Sequence, residues 1–251
     1  MNTSPSAGPP QAGLDPLGGS LAVPREGGAV ILCLFDLDDT LIPIDSDHEW
    51  GEFVIRQGWV DEAEFRRRND AFFADYKAGR LDVHAYIDFA TRPVRERTRE
   101  AAAEAHRRFM REVVVPRLHP RALALVQQHR AQGDLIALVT ATNEFVTGPI
   151  AEAFGIADLI AIRLERDAGG TITGRIDGVP SYREGKVTRV DEWLAGQGAA
   201  WRDFGRVSVY SDSINDLPLL ERATHPVATN PTPALEAIAR ERGWPILNLF
   251  T

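Results

Sequence analysis

Four short stretches of the chain are apolar at nearly every position: residues 29–35, 135–139, 207–210 and 226–228. Unbroken apolar runs of this length mark strands covered on both faces, as in a parallel sheet. The intervals between them carry helical spacing, at residues 120–130, 149–154, 186–194, 217–222 and 232–242. Strand alternating with helix predicts an α/β fold, a parallel sheet with helices on both faces.

Two intervals break that rhythm. Residues 45–115 show almost no strand signal and four helical segments, at 48–57, 61–78, 83–91 and 94–114. Trp50, Phe53, Val54, Phe65, Phe72, Phe73, Tyr76, Tyr86, Phe89 and Phe109 recur there at helical spacing, which predicts a small bundle. Inserted after the first strand, such a bundle reads as a lid over the carboxyl edge of the sheet. The second interval, 159–182, contains the turn Asp167-Ala168-Gly169-Gly170 and the alternating Thr171-Ile172-Thr173, and reads as a β-hairpin. Residues 1–28 are dense in Pro, Gly and Ser without apolar periodicity, the composition of a disordered tail rather than a signal peptide.

Composition narrows the function classes. The 251 residues suit one large domain, or one domain carrying a smaller one. Lys and Arg number 28 against 36 Asp and Glu, a net charge of −8 that disfavours nucleic acid or an anionic membrane as the main partner. A single cysteine, Cys33, excludes an internal disulfide and a Cys-rich zinc site, and its place in an apolar run marks it as core. No apolar run approaches the roughly 18 residues of a membrane span. A soluble, cytoplasmic enzyme is the expectation.

The candidate chemistry sits where the strands end. The first runs directly into Asp36-Leu37-Asp38-Asp39-Thr40. Carboxylates crowded at a strand's carboxyl end repel one another, and open α/β sheets bind ligands at that edge. A hard, oxygen-seeking cation such as Mg²⁺ would relieve the repulsion. Alternation sends Asp36 and Asp38 to one side, so that one could attack an electrophile while the other moves a proton. A polar turn would look the same. The second strand ends at Thr140-Ala141-Thr142-Asn143, a hydroxyl and backbone N–H groups suited to phosphate oxygens or simply to capping a helix. The third ends at Ser211-Asp212-Ser213-Ile214-Asn215-Asp216, which offers further ligands or a solvated loop. Lys186 opens a helix and has nothing local to distinguish it from a surface lysine.

Taken in order, D-x-D-x-T, a hydroxyl, a lysine and D-x-x-x-D resemble the motifs of the haloacid dehalogenase-like superfamily, from Ala29 to the C-terminus. A helical insertion between the first two motifs is similar to the branch containing phosphoserine phosphatase. The resemblance implies a Rossmann-like core over 29–44 and 116–251 with a helical cap over 45–115. It implies a phosphomonoesterase with Asp36 as nucleophile and Asp38 as general acid and base. Thr140, Ala141, Lys186 and Asn215 would hold the phosphoryl oxygens. Mg²⁺ would be bound by Asp36, Asp212 and the carbonyl of Asp38, with Asp216 completing the metal site or orienting Lys186.

Departures from that branch bear on the substrate. Asp39 stands where the family usually has Gly or a small residue, and Thr140-Ala141-Thr142 where phosphoserine phosphatases carry Ser-Gly-Gly. Asp45 takes the place of the Glu that meets the substrate ammonium. The stretch from Gly79-Arg80-Leu81 to Ala90 lacks the Arg that holds the substrate carboxylate. A small phosphorylated metabolite without a carboxylate is therefore expected, with histidinol phosphate first. Asp45, Asp47, His48 and Trp50 would then lie near the pocket. Phosphoserine, a broad range of small metabolites, or transfer to another alcohol instead of water are the other readings.

Overall fold

The computed structural model describes residues 30–250; the tail expected over 1–28 lies outside them. In chain order the strands are β1 (Ile31–Phe35), β2 (Leu135–Asn143), β3 (Asp158–Ile162), β4 (Leu164–Arg166), β5 (Ile172–Ile176), β6 (Arg206–Ser211), β7 (His225–Thr229) and β8 (Ile246–Leu247). Six form a parallel sheet in the order β3-β2-β1-β6-β7-β8, while β4 and β5 pair antiparallel on their own. The order reverses beside β1, which places a crevice at the carboxyl ends of β1 and β6.

Alternation along β1 divides the core. Cys33 and Phe35 point into one apolar cluster, Leu32 and Leu34 into the other, and all four are fully buried. Phe35 pairs with Leu138 of β2 and Tyr210 of β6. That register brings the residues just beyond these strand positions, Asp36, Thr140 and Asp212, to one level of the edge.

The helical interval holds α1 (Ser46–Arg56), α2 (Glu62–Lys77), α3 (Val83–Arg95) and α4 (Arg99–Phe109). Each starts at a side chain that accepts an otherwise unpaired backbone N–H: Asp45 from His48, Asp61 from Glu64, Asp82 from Ala85 and Thr98 from Ala101. Thr98 explains why the helix expected over 94–114 is divided. The chain leaves α3 at Arg95 and restarts at the Thr98 cap, and α4 then passes into a π-helical turn at Met110–Val114. These helices share one apolar cluster with a face of the sheet. Trp50 belongs to that shared core rather than to a pocket: it is 2% exposed, with the rings of Phe53, His106, Phe109 and Phe145 within 5.6 Å.

Only part of 159–182 is a hairpin. Its first, unbroken apolar stretch joins the main sheet as β3, parallel to β2. The hairpin proper is β4–β5, closed by the expected Asp167–Gly170 turn, where Asp167 Oδ1 accepts the Thr171 N–H at 2.8 Å. The helix expected over 149–154 begins earlier, as α6 (Glu144–Phe154), because the Asn143 side chain caps it. The remaining helices are α5 (Pro120–Ala131), α7 (Glu184–Gly196), α8 (Leu217–Leu220) and α9 (Pro233–Arg242). No helix among the described residues is long and apolar enough to cross a membrane.

Lys186 owes its position to a tight approach one residue earlier. A Cβ on Gly185 would stand 2.0 Å from the Pro180 carbonyl oxygen, a backbone atom with no room to yield. Gly185→Ala should destabilise the protein by about 1–3 kcal/mol and displace Lys186. Thermal denaturation alongside phosphatase activity would show both effects, and a wild-type melting curve would contradict the close approach.

Candidate active site

The carboxyl edge gathers most of the residues singled out in the sequence. Asp36 follows β1 and donates its N–H to the Tyr210 carbonyl at 2.9 Å, which carries the chain one residue past the sheet without loss of register. Its Oδ1 accepts a hydrogen bond from Lys186 Nζ at 2.8 Å, and the same ammonium reaches Asp216 Oδ2 at 2.7 Å. Ser211 Oγ donates to that Asp216 oxygen at 2.8 Å. Asp216 thus stands behind Lys186, with its Oδ2 committed to orienting the lysine.

Thr40 ties the two halves of the edge. Its hydroxyl is directed at Asp36 Oδ2 (3.1 Å) and Asp212 Oδ1 (3.3 Å), and it accepts the Asp212 N–H at 3.0 Å. Asp38 is held separately, with Oδ1 accepting from the Ser46 N–H at 2.7 Å and Oδ2 from Thr142 Oγ1 at 2.9 Å. Thr140 is buried, and its hydroxyl accepts the Thr142 N–H at 3.1 Å. Asn215, expected among the phosphate ligands, turns its amide toward the end of α2 and donates to the Tyr76 carbonyl at 3.0 Å.

Crowded acids in a dry site hold their protons. Burial pushes Asp36 up to about 6 against the pull of Lys186. Burial, then the neighbouring Asp45, raises Asp38 well above the usual carboxylate range. Burial and the charges of Asp36 and Asp39 do the same to Asp212. Burial alone would lower Lys186, but Asp216 and Asp36 outweigh it and raise its pKa. With the Lys186 ammonium engaged by Asp36 and Asp216, Asp212 and Asp38 have no ammonium bonded to them among the described residues. That all-oxygen donor set fits a hard divalent cation held by Asp36, Asp212 and Asp38.

Beside this edge opens a pocket between the sheet and α1–α3. Asp36, Asp38 and Thr140–Thr142 form one end; Asp45, Asp47, Phe72, Phe73, Tyr76 and Tyr86 line the rest. His48 also lines it, its ring tilted against that of Phe73 with centroids 4.8 Å apart, and it is bonded through Nε2 to Asp70 Oδ1 at 3.0 Å. His48, Glu52 and Asp70 converge closely enough for metal ligation, a grouping the His spacing did not reveal, but Arg66 already holds Glu52 through two guanidinium nitrogens. Sequence reasoning assigned Phe72, Phe73, Tyr76 and Tyr86 to the bundle core. It gave no separate role to Thr40 or Thr142, and for Asp47 it offered only a place near the pocket. For Thr40 and Thr142 the signal lay in the motifs themselves, each a hydroxyl two residues from a singled-out one; for Asp47 it was an acid two residues past Asp45.

Residues 33–221 match the model of the haloacid dehalogenase-like hydrolase family. The chain belongs to that family. It is 44% identical over 217 residues to a histidinol-phosphatase of Neisseria meningitidis serogroup C (strain 8013), covering 86% of this chain and 98% of the relative. A crystal structure of a protein with unknown function from Bordetella pertussis Tohama I superposes with a TM-score of 0.84 at 49% identity, over 89% of this chain and all (100%) of that one. A substrate-bound phosphoserine phosphatase complex shares the fold, with a TM-score of 0.61 at 17% identity over 88% and 94% of the two chains. Within the family, this hydrolase is a phosphatase.

Asp47 provides a check on the electrostatics away from the metal-type ligands. Burial, then the charge of Asp45, pushes it up to about 7. The folded protein therefore keeps a proton that the unfolded chain releases near pH 4, so this group's contribution to stability is present below pH 4 and is lost as pH rises toward 7. Asp47→Asn should raise the Tm relative to wild type at pH 8, and the difference should shrink toward pH 4. Paired melts across that range would show it; a constant offset would contradict it.

Proposed function

We propose that this phosphatase hydrolyses the phosphomonoester of a small cationic amino alcohol, with histidinol phosphate as substrate, through an aspartyl-phosphate formed on Asp36. The observation that carries this reading is the charge of the pocket. Four carboxyl groups line it, Asp36, Asp38, Asp45 and Asp47, and no Lys or Arg does so among the described residues. A phosphoserine carboxylate would meet those acids without a cation to pair with, at a cost of several kcal/mol. An amino alcohol bearing an imidazole has no such group to desolvate. The 44% identity to a histidinol-phosphatase over nearly all of that relative supports the same substrate.

In this mechanism the phosphoryl group enters between Asp36 and Thr140. The Asp36 carboxylate attacks phosphorus as the ester P–O bond breaks, and Asp38 gives its proton to the leaving alkoxide. The raised affinity of Asp38 for a proton suits the first step, and Ser46 and Thr142 fix the direction of its carboxyl group. Asp38 then takes a proton from water, which attacks the acyl phosphate and frees Asp36. Thr140, the Ala141 N–H and Lys186 hold the transferring oxygens and offset their charge. Bound Mg²⁺ would supply the positive charge that keeps the carboxylates ionised and screens the incoming phosphate. Asp45 would face the substrate ammonium, and residues 45–115 would act as the cap domain over a core formed by 29–44 and 116–251.

With Mg²⁺ present, kcat/KM for histidinol phosphate should exceed that for phosphoserine by at least ~100-fold, the scale set by stranding an unpaired polar group. A preference for phosphoserine would overturn the substrate reading. Chelation should abolish turnover and Mg²⁺ restore it. Asp36→Asn should reduce kcat by more than ~1,000-fold, as expected for loss of a nucleophile; turnover at the wild-type rate would overturn the mechanism.

A further inference from the structure

Asp47 has no part in the chemistry above, yet it is a buried acid in the pocket wall. It lies in the first turn of α1, 6% exposed, two residues beyond Asp45. None of the ion pairs among the described residues includes it, and its nearest charged influence is another acid, Asp45. A buried carboxyl group with a like-charged neighbour and no cation is unfavourable unless a ligand supplies the missing donor.

Its surroundings aim it. Asn143 Oδ1 caps α6 by accepting from the N–H groups of Phe145 (3.1 Å) and Val146 (3.3 Å). The amide can then present only its NH₂ end elsewhere, and that end reaches Asp47 Oδ1 at 3.3 Å. Tyr86 stands near the same carboxyl group, in the wall of the same pocket. The Asn143 amide reaches Asp47 as a donor, so Asp47 Oδ1 is held as an acceptor, with lone pairs left over. The rings of Phe72, Phe73 and Tyr86 line the pocket with it. An acceptor beside flat aromatic surfaces suits a flat heteroaromatic N–H donor that can stack on them, and Asp45 is left to meet the ammonium group.

We infer that Asp47 is the residue that selects the substrate's heteroaromatic head group, accepting a hydrogen bond from a ring N–H of an imidazole lying among Phe72, Phe73 and Tyr86. The inference rests on the substrate reading above and adds the residue that enforces it. Asp47 is a specificity residue and takes no part in proton transfer to the leaving group. A merely structural role, bracing Asn143 and Tyr86, would alter every substrate alike.

The test compares histidinol phosphate with ethanolamine phosphate, which keeps the ester and the ammonium but lacks the ring. Both are assayed with the full-length Mg²⁺-loaded enzyme, as wild type, Asp47→Asn and Asp47→Ala. The wild type should favour histidinol phosphate, and both substitutions should reduce that ratio of kcat/KM by about 10–100-fold, the worth of a hydrogen bond to a charged group. The loss should appear mainly in KM. Melting curves confirm folding, and Asp47→Asn is the variant expected to be stabilised at pH 8. If the wild type favours the ring and the variants keep the ratio, whether both rates fall together or neither falls, the inference is overturned and the substrate reading stands. If the wild type does not favour the ring, the substrate reading fails and takes the inference with it.

Discussion

Lys186 brings its ammonium group between Asp36 and Asp216 at 2.8 and 2.7 Å, at a position almost closed to solvent. Everything at the carboxyl edge is arranged around that contact. Asp36 directly follows β1 and Asp216 lies in the short turn after β6, so the lysine also fastens the crevice where the strand order reverses. It reaches them only because α7 begins where Gly185 lets the backbone pass close to Pro180. Removing the ammonium would leave two buried carboxyl groups facing each other, which costs more than the loss of an ordinary surface pair. Among the described residues Asp38 and Asp212 have no ion-pair partner, so that part of the edge has carboxyl groups to offer a cation.

Much of this was legible in the amino-acid order. Unbroken apolar runs marked β1, β2 and β6, and the acids and hydroxyls immediately after them fell at one level because parallel register aligns strand ends. Capping side chains at Asp45, Asp61 and Asp82 agree with helix starts read to within two residues. Contacts between distant segments were not legible. Helical spacing showed that Phe72, Tyr76 and Tyr86 share an apolar face, but the same spacing serves a face against protein and a face against a cavity. Phe72 accordingly lines the pocket, while Trp50 stays in the core that the same spacing gave it. Thr40 looked like the last letter of a motif, and its junction of Asp36 with Asp212 depends on β1 and β6 being neighbours. The stretch read as one hairpin contained two elements, because the apolar run of four residues at 159–162 carries no sign of which sheet it will join.

Asp39 shows how a departure from a family pattern can be absorbed. Its φ of 55° lies in the left-handed region, where Gly is at ease and Asp is among the better-tolerated alternatives. The side chain so introduced meets Lys77 at the end of α2, with Nζ 3.1 Å from Oδ2. Two further bonds join that end of α2 to the catalytic loops: Asn215 to the Tyr76 carbonyl, and Arg183 Nη1 to the Gly79 carbonyl at 2.8 Å. The loops at the carboxyl edge therefore also grip the helix that carries the pocket's aromatic wall.

Strand β2 has a consequence for which molecules fit. Thr140 lines the pocket beside Asp36, and Asn143, three residues further along, touches Asp47. Both lie past the last pairing with β1, at Leu138, and in the stretch where the register of β2 against β3 slips. The far end of that stretch is pinned by Asn143 itself, which caps α6 and reaches Asp47 with one side chain. A single irregular segment of a central strand therefore carries both walls of the pocket, and a change in its bend would move Thr140 and Asp47 relative to each other.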